Sequence, residues 1–237
     1  MNGSQYMRKG SIPENLNSVA ERIVTACRSC DRQDDSVTLL AVSKTRPADD
    51  LRTAYAAGQR HFGENYLQEA LDKQEALADC DIIWHFIGPL QSNKTRDVAG
   101  HFHWMHTVDR LKIARRLSEQ RPVEMPPLNI CLQVNIDGEE SKSGVSPEKL
   151  PELAEAVAAL PNLRLRGLMA IPAPRGVAED QRTPFIQLAA LLEDLKARLP
   201  EQPLDTLSMG MSGDMEAAIF SGATMVRIGT DVFGARK

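Results

Sequence analysis

Eight short apolar runs, each closed by polar residues and nearly all followed by a helix-patterned stretch, constrain this chain of 237 residues more than any other feature. The runs are 37–44, 60–65, 82–88, 102–108, 129–136, 163–171, 207–211 and 224–229. Their length and β-branched content read as strands, and the most apolar of them as strands buried on both faces. Helix signals fill 48–57, 66–78, 91–99, 109–120, 147–160, 183–199 and 213–221. Pro47 and Pro147 are placed to open helices, Gly58 to stop one and Asp109 to cap another. One more helix, 14–32, precedes the first strand, with Leu16, Val19, Ile23 and Ala26 on one face. Strict alternation predicts a parallel sheet with right-handed crossovers. Eight units in this length predict an α/β fold, a single (β/α)8 TIM barrel with an extra N-terminal helix. That helix is expected to cover the gap where an eighth trailing helix would lie. An open doubly wound sheet is the alternative, and no G-x-G-x-x-G follows the first strand to support it. Residues 1–13 are expected to be a disordered leader, native or added, and 14–237 the barrel domain.

Composition excludes several classes. The formal net charge is −4 with no basic block, so the electrostatic footprint of a nucleic-acid binder is missing. No apolar run reaches the roughly 18 residues of a membrane span, and residues 1–10 lack the apolar region of a secretory signal. Cys27 and Cys30 form a C-x-x-C near the end of the first helix rather than at a helix start, and no second pair completes a zinc set with them, Cys80 or Cys131. Free thiols without a signal point to the cytoplasm.

In parallel α/β folds ligands bind at the carboxyl ends of strands. The first run ends in Lys44, and a lysine there is either a solvated strand mouth or a site. The other strand ends offer Glu64 and Asn65, His85 and Gly88, Thr107 and Asp109, Asn135, Met169 and Pro172, Met211 to Gly213, and Arg227 to Thr230. Barrel enzymes often hold phosphate after strands seven and eight, where Ser212, Gly213, Gly229 and Thr230 lie. Asp214 and Glu216 fall in the first turn of the helix there and compete with an anion. Arg227, inside an apolar strand, needs either a buried carboxylate or a ligand. His101, His103 and His106 cluster around the fourth strand but lack an acidic or thiol partner, so no metal is expected. Trp84 and Trp104 read as core.

Together these residues resemble the family of pyridoxal phosphate homeostasis proteins. The likeness is carried by Leu40-Ala41-Val42-Ser43-Lys44-Thr45, Phe62-Gly63-Glu64-Asn65-Tyr66 and the stretch Trp84-His85-Phe86-Ile87-Gly88-Pro89-Leu90-Gln91-Ser92-Asn93-Lys94. It continues through Ser141-Lys142-Ser143-Gly144, Arg166-Gly167-Leu168-Met169, Ser208-Met209-Gly210-Met211-Ser212 and Met225-Val226-Arg227-Ile228-Gly229-Thr230. The resemblance implies a barrel like the N-terminal domain of alanine racemase, of fold type III among pyridoxal 5′-phosphate (PLP) proteins. It implies PLP held as a Schiff base on Lys44, with Ser212, Gly229 and Thr230 on the phosphate, Arg227 at the pyridine nitrogen, and Asn65 and Met211 lining the ring. It implies a role in vitamin B6 and amino- and keto-acid homeostasis without strong turnover.

Arginine only donates, so a ring nitrogen facing Arg227 accepts and stays unprotonated, which weakens the ring as an electron sink. The chain also departs from a racemase. It has one domain, and Tyr6, Tyr55 and Tyr66 do not stand where a second-domain acid could come from. Gly144 is followed by Val145-Ser146-Pro147, with no arginine, and Arg46 stands where many family members have a second lysine. Three readings compete: a PLP carrier without turnover, a slow PLP enzyme of alanine racemase type, and an aldolase-like imine barrel, which leaves Arg227 unexplained. Expected partners are PLP, amino acids and PLP-dependent apo-enzymes. A monomer is expected, and a second PLP adduct on Lys142 or Lys237 is left open.

Overall fold

The apolar runs close on themselves as a ring of parallel strands. The computed structural model describes residues 10–139, 142–174 and 178–235. The strands are β1 (Thr38–Val42), β2 (His61–Glu64), β3 (Ile83–Phe86), β4 (Trp104–Val108), β5 (Leu128–Gln133), β6 (Leu163–Met169), β7 (Thr206–Ser208) and β8 (Met225–Ile228). Each pairs with its neighbour in sequence, and β1 pairs with β8 in parallel, Leu40 beside Arg227. The expected barrel is therefore the observed one, and the open sheet is ruled out.

The helices are α1 (Ile12–Arg28), α2 (Ala48–Ala56), α3 (Leu67–Ala76), α4 (Thr95–His101), α5 (Leu111–Gln120), α6 (Leu150–Ala158), α7 (Ala178–Arg198), α8 (Met215–Phe220) and α9 (Thr230–Phe233). Helix α1 packs against α2, α8 and α9, and so closes the outer ring as its position predicted. It begins earlier than its apolar spacing shows, because Ser11 and Glu14 form a capping box. Outward residues such as Phe62, Val226 and Ile228 join the helices in one continuous core. Inward ones form smaller clusters, Leu40 with Ile87 and Met225, and Trp104 with Cys131 and Met169.

Several boundaries differ, each for a local reason. Strand β7 stops at Ser208 because Gly210, at φ +93°, turns the chain. Helix α6 starts at Leu150 rather than at Pro147, with Pro151 in its first turn. Arg110, not Asp109, occupies the cap position of α5. Helix α9 went unread, since its four residues are too few to show a period. The predicted leader, including Tyr6, lies mostly outside the described residues.

Candidate functional site

Lys44 lies two residues beyond β1 and continues the inward alternation of Leu40 and Val42. Its neighbours fix it from both sides. Ser43 is buried, its hydroxyl donating to Glu64 Oε1 at 2.5 Å and its carbonyl accepting from Lys73 Nζ at 2.7 Å. Thr45 has a left-handed backbone, φ 63°, uncommon for a non-glycine residue, and its N–H donates to Glu69 Oε1 at 2.5 Å. Lys73 bridges both carboxylates, 2.8 Å from Glu64 and 2.6 Å from Glu69. Burial pushes the Glu64 carboxyl above the ordinary range, against the pull of Lys73 and Ser43.

Lys44 shares a cavity of about 40 Å³ with Val42, Arg46, Gly229, Thr230 and Gly234. Gly229 lets the two chain segments lie close there, since a Cβ on it would stand 3.2 Å from the Val42 carbonyl oxygen. Arg46 donates to the carbonyls of Gly234 and Ala235. Arg22, from α1, joins the loops that follow β7 and β8: it pairs with Glu216 at 2.9 Å and Asp231 at 2.7 Å and reaches the Ser212 carbonyl at 3.5 Å.

A second cavity of about 270 Å³ opens at the carboxyl ends of the neighbouring strands, lined by Asn65, Thr107, Gln133, Asn135, Lys142 and Ser143 among others. The side-chain oxygens of Asn65 and Asn135 are buried and have no partner among the described residues. Gly88 sets Asn65 in place, since a Cβ on it would fall 2.1 Å from the Asn65 carbonyl oxygen. Met211, 39% exposed, lines a third cavity with Pro172, Phe185 and Asp214.

Arg227 is buried inside the barrel, two residues below Gly229. Its guanidinium donates to Ser208 O (2.6 Å), Ser208 Oγ (2.9 Å) and Ala170 O (2.9 Å). Two of its five donors have no partner among the described residues. No described carboxylate pairs with it, and burial lowers its pKa to about 10. The bland expectation of a buried carboxylate beside Arg227 is not met.

The structure thus brings Lys44, Gly229 and Thr230 to one cavity and sets Asn65 and Met211 on two others. Ser212 lines none of the three. The expected helix start at Gly213 is corrected: Asp214 is the cap residue of α8, its carboxylate accepting the Met211 N–H at 2.6 Å, and Glu216 is taken by Arg22. Two contributors went unseen. Arg46 was read only as a replaced lysine, although its spacing from Lys44 was legible. Lys73 sits one helical turn after Glu69, an i,i+4 pair that sequence could have flagged. The histidines do not converge. His101 and His103 lie outside β4 and are exposed, His106 is inside the barrel, and among the described residues no metal-sized acidic, thiol and imidazole group forms. Cys27 is buried and Cys30 half-buried, at the end of α1, and all four thiols are free. Both tryptophans are buried.

An amine, a glycine- and hydroxyl-lined cavity with a second cation, a buried guanidinium with spare donors and an unpartnered amide oxygen fit an anionic, carbonyl-bearing heteroaromatic ligand. The fold and these residues define a barrel of the alanine racemase N-terminal type, and the model of that domain family, "Alanine racemase, N-terminal domain", matches residues 15–237. The relatives are more specific. The pyridoxal phosphate homeostasis protein of Pseudomonas aeruginosa is 63% identical over 95% of this chain and 96% of its own. The solved structure of PipY from Synechococcus elongatus, without PLP, superposes with a TM-score of 0.85 at 40% identity, covering 94% of this chain and all of PipY; a second PipY structure has PLP bound. The chain belongs to the pyridoxal phosphate homeostasis protein family. An alanine racemase from Corynebacterium glutamicum, 16% identical with a TM-score of 0.61 over 92% of this chain and 60% of its own, shares the fold alone.

Proposed function

We propose that this protein binds PLP covalently through Lys44 and holds it, without strong turnover, in the homeostasis of vitamin B6 and of amino and keto acids. The observation that carries the reading is the shared cavity: Lys44, just past β1, lines the same space as Gly229 and Thr230. When bound, the cofactor supplies an electrophilic aldehyde carbon and an electron-withdrawing ring. Lys44 offers the amine, and the clamp on Ser43 and Thr45 keeps it at the mouth. Gly229, Thr230 and Arg46, with Ser212 on the adjoining loop, would hold the phosphate. The spare donors of Arg227 would serve the ring nitrogen, and Asn65 and Met211 would border the ring. Because Arg227 gives no proton away, the ring stays a weak electron sink.

Racemase-type turnover needs an acid opposite Lys44. Tyr55 is on α2, its hydroxyl accepting the Asp81 N–H at 3.2 Å, and Tyr66 lines a groove beside α3 with Leu71 and Lys94. Neither faces the Lys44 cavity. Deuterium uptake at the α-carbon of alanine, followed by NMR, therefore stays far below the ~1–1000 per second of ordinary enzymes. Turnover in that range promotes the racemase reading. The site itself is tested by Lys44→Ala, which should give a folded, colourless protein; a borohydride-reducible linkage surviving in that variant removes the assignment. The chain is read as a monomeric cytoplasmic protein that exchanges PLP with amino acids and apo-enzymes, and light scattering of the pure protein checks the first point. Among the described residues no helix is long and apolar enough to cross a membrane. Lys142 pairs with Glu139 at 3.0 Å, and Lys237 lies outside the described residues.

A further inference from the structure

Barrel interiors are ordinarily filled with branched aliphatic side chains. This one carries a connected row of polar groups. His61 Nδ1 is 3.0 Å from His85 Nε2, His85 Nδ1 is 2.9 Å from His106 Nε2, and His106 Nδ1 is 2.9 Å from Ser208 Oγ. Ser208 Oγ in turn accepts from Arg227 at 2.9 Å. The row starts at the first residue of β2, half-buried at the lower rim, and ends on β7 and β8 beneath the mouth. Trp104 stacks on His85, ring centroids 5.4 Å apart, and closes it off from the side.

We infer that His61, His85, His106 and Ser208 are positioning residues, a one-directional hydrogen-bond chain that aims the Arg227 guanidinium at an acceptor in the mouth; this rests on the PLP reading above. The direction follows from Arg227, which can only donate. Since it donates into Ser208 Oγ, the Ser208 hydroxyl hydrogen goes to its other neighbour, His106 Nδ1. His106 then carries its hydrogen on Nε2 and donates to His85 Nδ1. His85 likewise donates from Nε2 to His61 Nδ1, and His61 presents its own Nε2–H outward. The reverse order points two donors at Ser208 Oγ and leaves its hydroxyl hydrogen without an acceptor among the described residues, a costly state in a buried group. Neutral imidazoles are required throughout. Burial holds His85 well below its ordinary value, and burial with the charge of Arg227 brings His106 to about 3. The charged or titratable groups facing the row are His103 at the lower rim and Arg227 at the upper end, and Arg227 in turn feels Asp214 and the Cys131 thiol.

A space-filling role does not explain why the row ends on a cation that no described carboxylate contacts. A buried guanidinium held only by neutral acceptors is costly and retains attraction for an external one. The row orients it with neutral groups only, and the one carboxylate that acts on it, Asp214, does so without contact.

Imidazole nitrogen-15 NMR of the protein as purified, without added PLP, tests the direction. His85 and His106 should appear as neutral Nε2–H tautomers at pH 7 and still at pH 5. A Nδ1–H tautomer at His106, or a charged His106 at pH 5, overturns the inference. Ser208→Ala keeps the backbone carbonyl that Arg227 uses and cuts the row. It should lower PLP affinity about tenfold and shift the visible band of the PLP-loaded protein, and Ser208→Thr should restore both. Unchanged affinity and band in Ser208→Ala, with wild type binding PLP normally, also overturns it. Failure of wild type to bind PLP at all is a different result and breaks the function proposed above.

Discussion

Two cations in this barrel are equally buried, each 5% exposed, and are treated in opposite ways. Lys73, between the ends of β1 and β2 and helix α3, has two carboxylates and a carbonyl on its ammonium. Arg227, inside the barrel, has two carbonyls and a hydroxyl. The first charge is cancelled by the protein itself, and the resulting cluster braces the loop that carries Lys44. The second is oriented by neutral groups, with no described carboxylate in contact and Asp214 acting on it only at a distance. Arg121, 4% exposed and held by the carbonyls of Ala99, Phe102 and Pro126, shows that neutral acceptors alone can also hold a structural guanidinium; what sets Arg227 apart is its place beneath the mouth, where the PLP reading gives it a ligand.

The contrast is broken most directly by deleting each cation. Lys73→Met strands the buried Glu64 carboxylate, and removing one partner of a buried pair costs about 3–5 kcal/mol. Arg227→Met strands only neutral oxygens, at a cost of about 1–3 kcal/mol. Urea unfolding should therefore rank Lys73→Met as the more damaging change, while PLP titration ranks Arg227→Met as the more damaging to binding among protein that remains folded. Equal or reversed stability losses dissolve the contrast.

Acid sharpens it next. His106 has a folded-state pKa of about 3, below its unfolded value. The unfolded chain therefore binds a proton that the folded chain refuses. Stability is full above about pH 6.5 and is lost as pH falls toward 3, with a loss on the order of 3 kcal/mol by pH 4 from this group. Glu64 runs the other way, because its raised value lets the folded state take the proton first as pH falls. Urea midpoints at pH 7 and pH 4 should show a loss in wild type that shrinks in His106→Gln and persists in Glu64→Gln.

These two regions were unequally legible in the sequence. That Lys44, Gly229 and Thr230 fall at strand ends was legible because strand periodicity and the carboxyl-end rule both act over a few neighbouring residues, and the three share one cavity. The eight-fold alternation gave the barrel for the same reason. The row inside the barrel joins His61, His85, His106, Ser208 and Arg227 from five strands, and no local spacing announces it. His106 was noticed with His101 and His103, its neighbours in sequence, although its partners are His85 and Ser208 in space. Ser212 shows the opposite failure. Local pattern put it at a helix start, whereas Asp214 holds the cap position, its carboxylate turned back onto the Met211 N–H of the preceding loop rather than onto the helix.

A smaller change probes how the outer cluster grips the Lys44 loop. Ser43→Ala removes the 2.5 Å bond to Glu64 but leaves Lys73 on the same carboxylate oxygen. The stability loss should be about 1–2 kcal/mol. Because Ser43 precedes Lys44, PLP affinity should fall with it. A loss of stability with unchanged affinity separates the cluster from the site.

The smallest effect is expected at Glu69, and it discriminates between charge and geometry. Its side chain is 28% exposed, and Lys73 keeps Glu64 when the Glu69 charge is removed. Glu69→Gln should therefore cost only about 0.5–1 kcal/mol, as for a partly screened pair. The amide oxygen still accepts from Thr45 N–H, so the left-handed backbone at Thr45 stays pinned. Glu69→Ala removes that acceptor as well. Thr45 then has less to hold it in a conformation that costs about 1–3 kcal/mol, and relaxation there moves Lys44, the residue before it. The two variants should be close in urea stability but differ in the rate at which added PLP gives the visible band, Glu69→Gln near wild type and Glu69→Ala slower. Matching rates in the two variants mean that the outer cluster stabilises the barrel without positioning the Lys44 amine, and the division between the two buried cations then becomes complete.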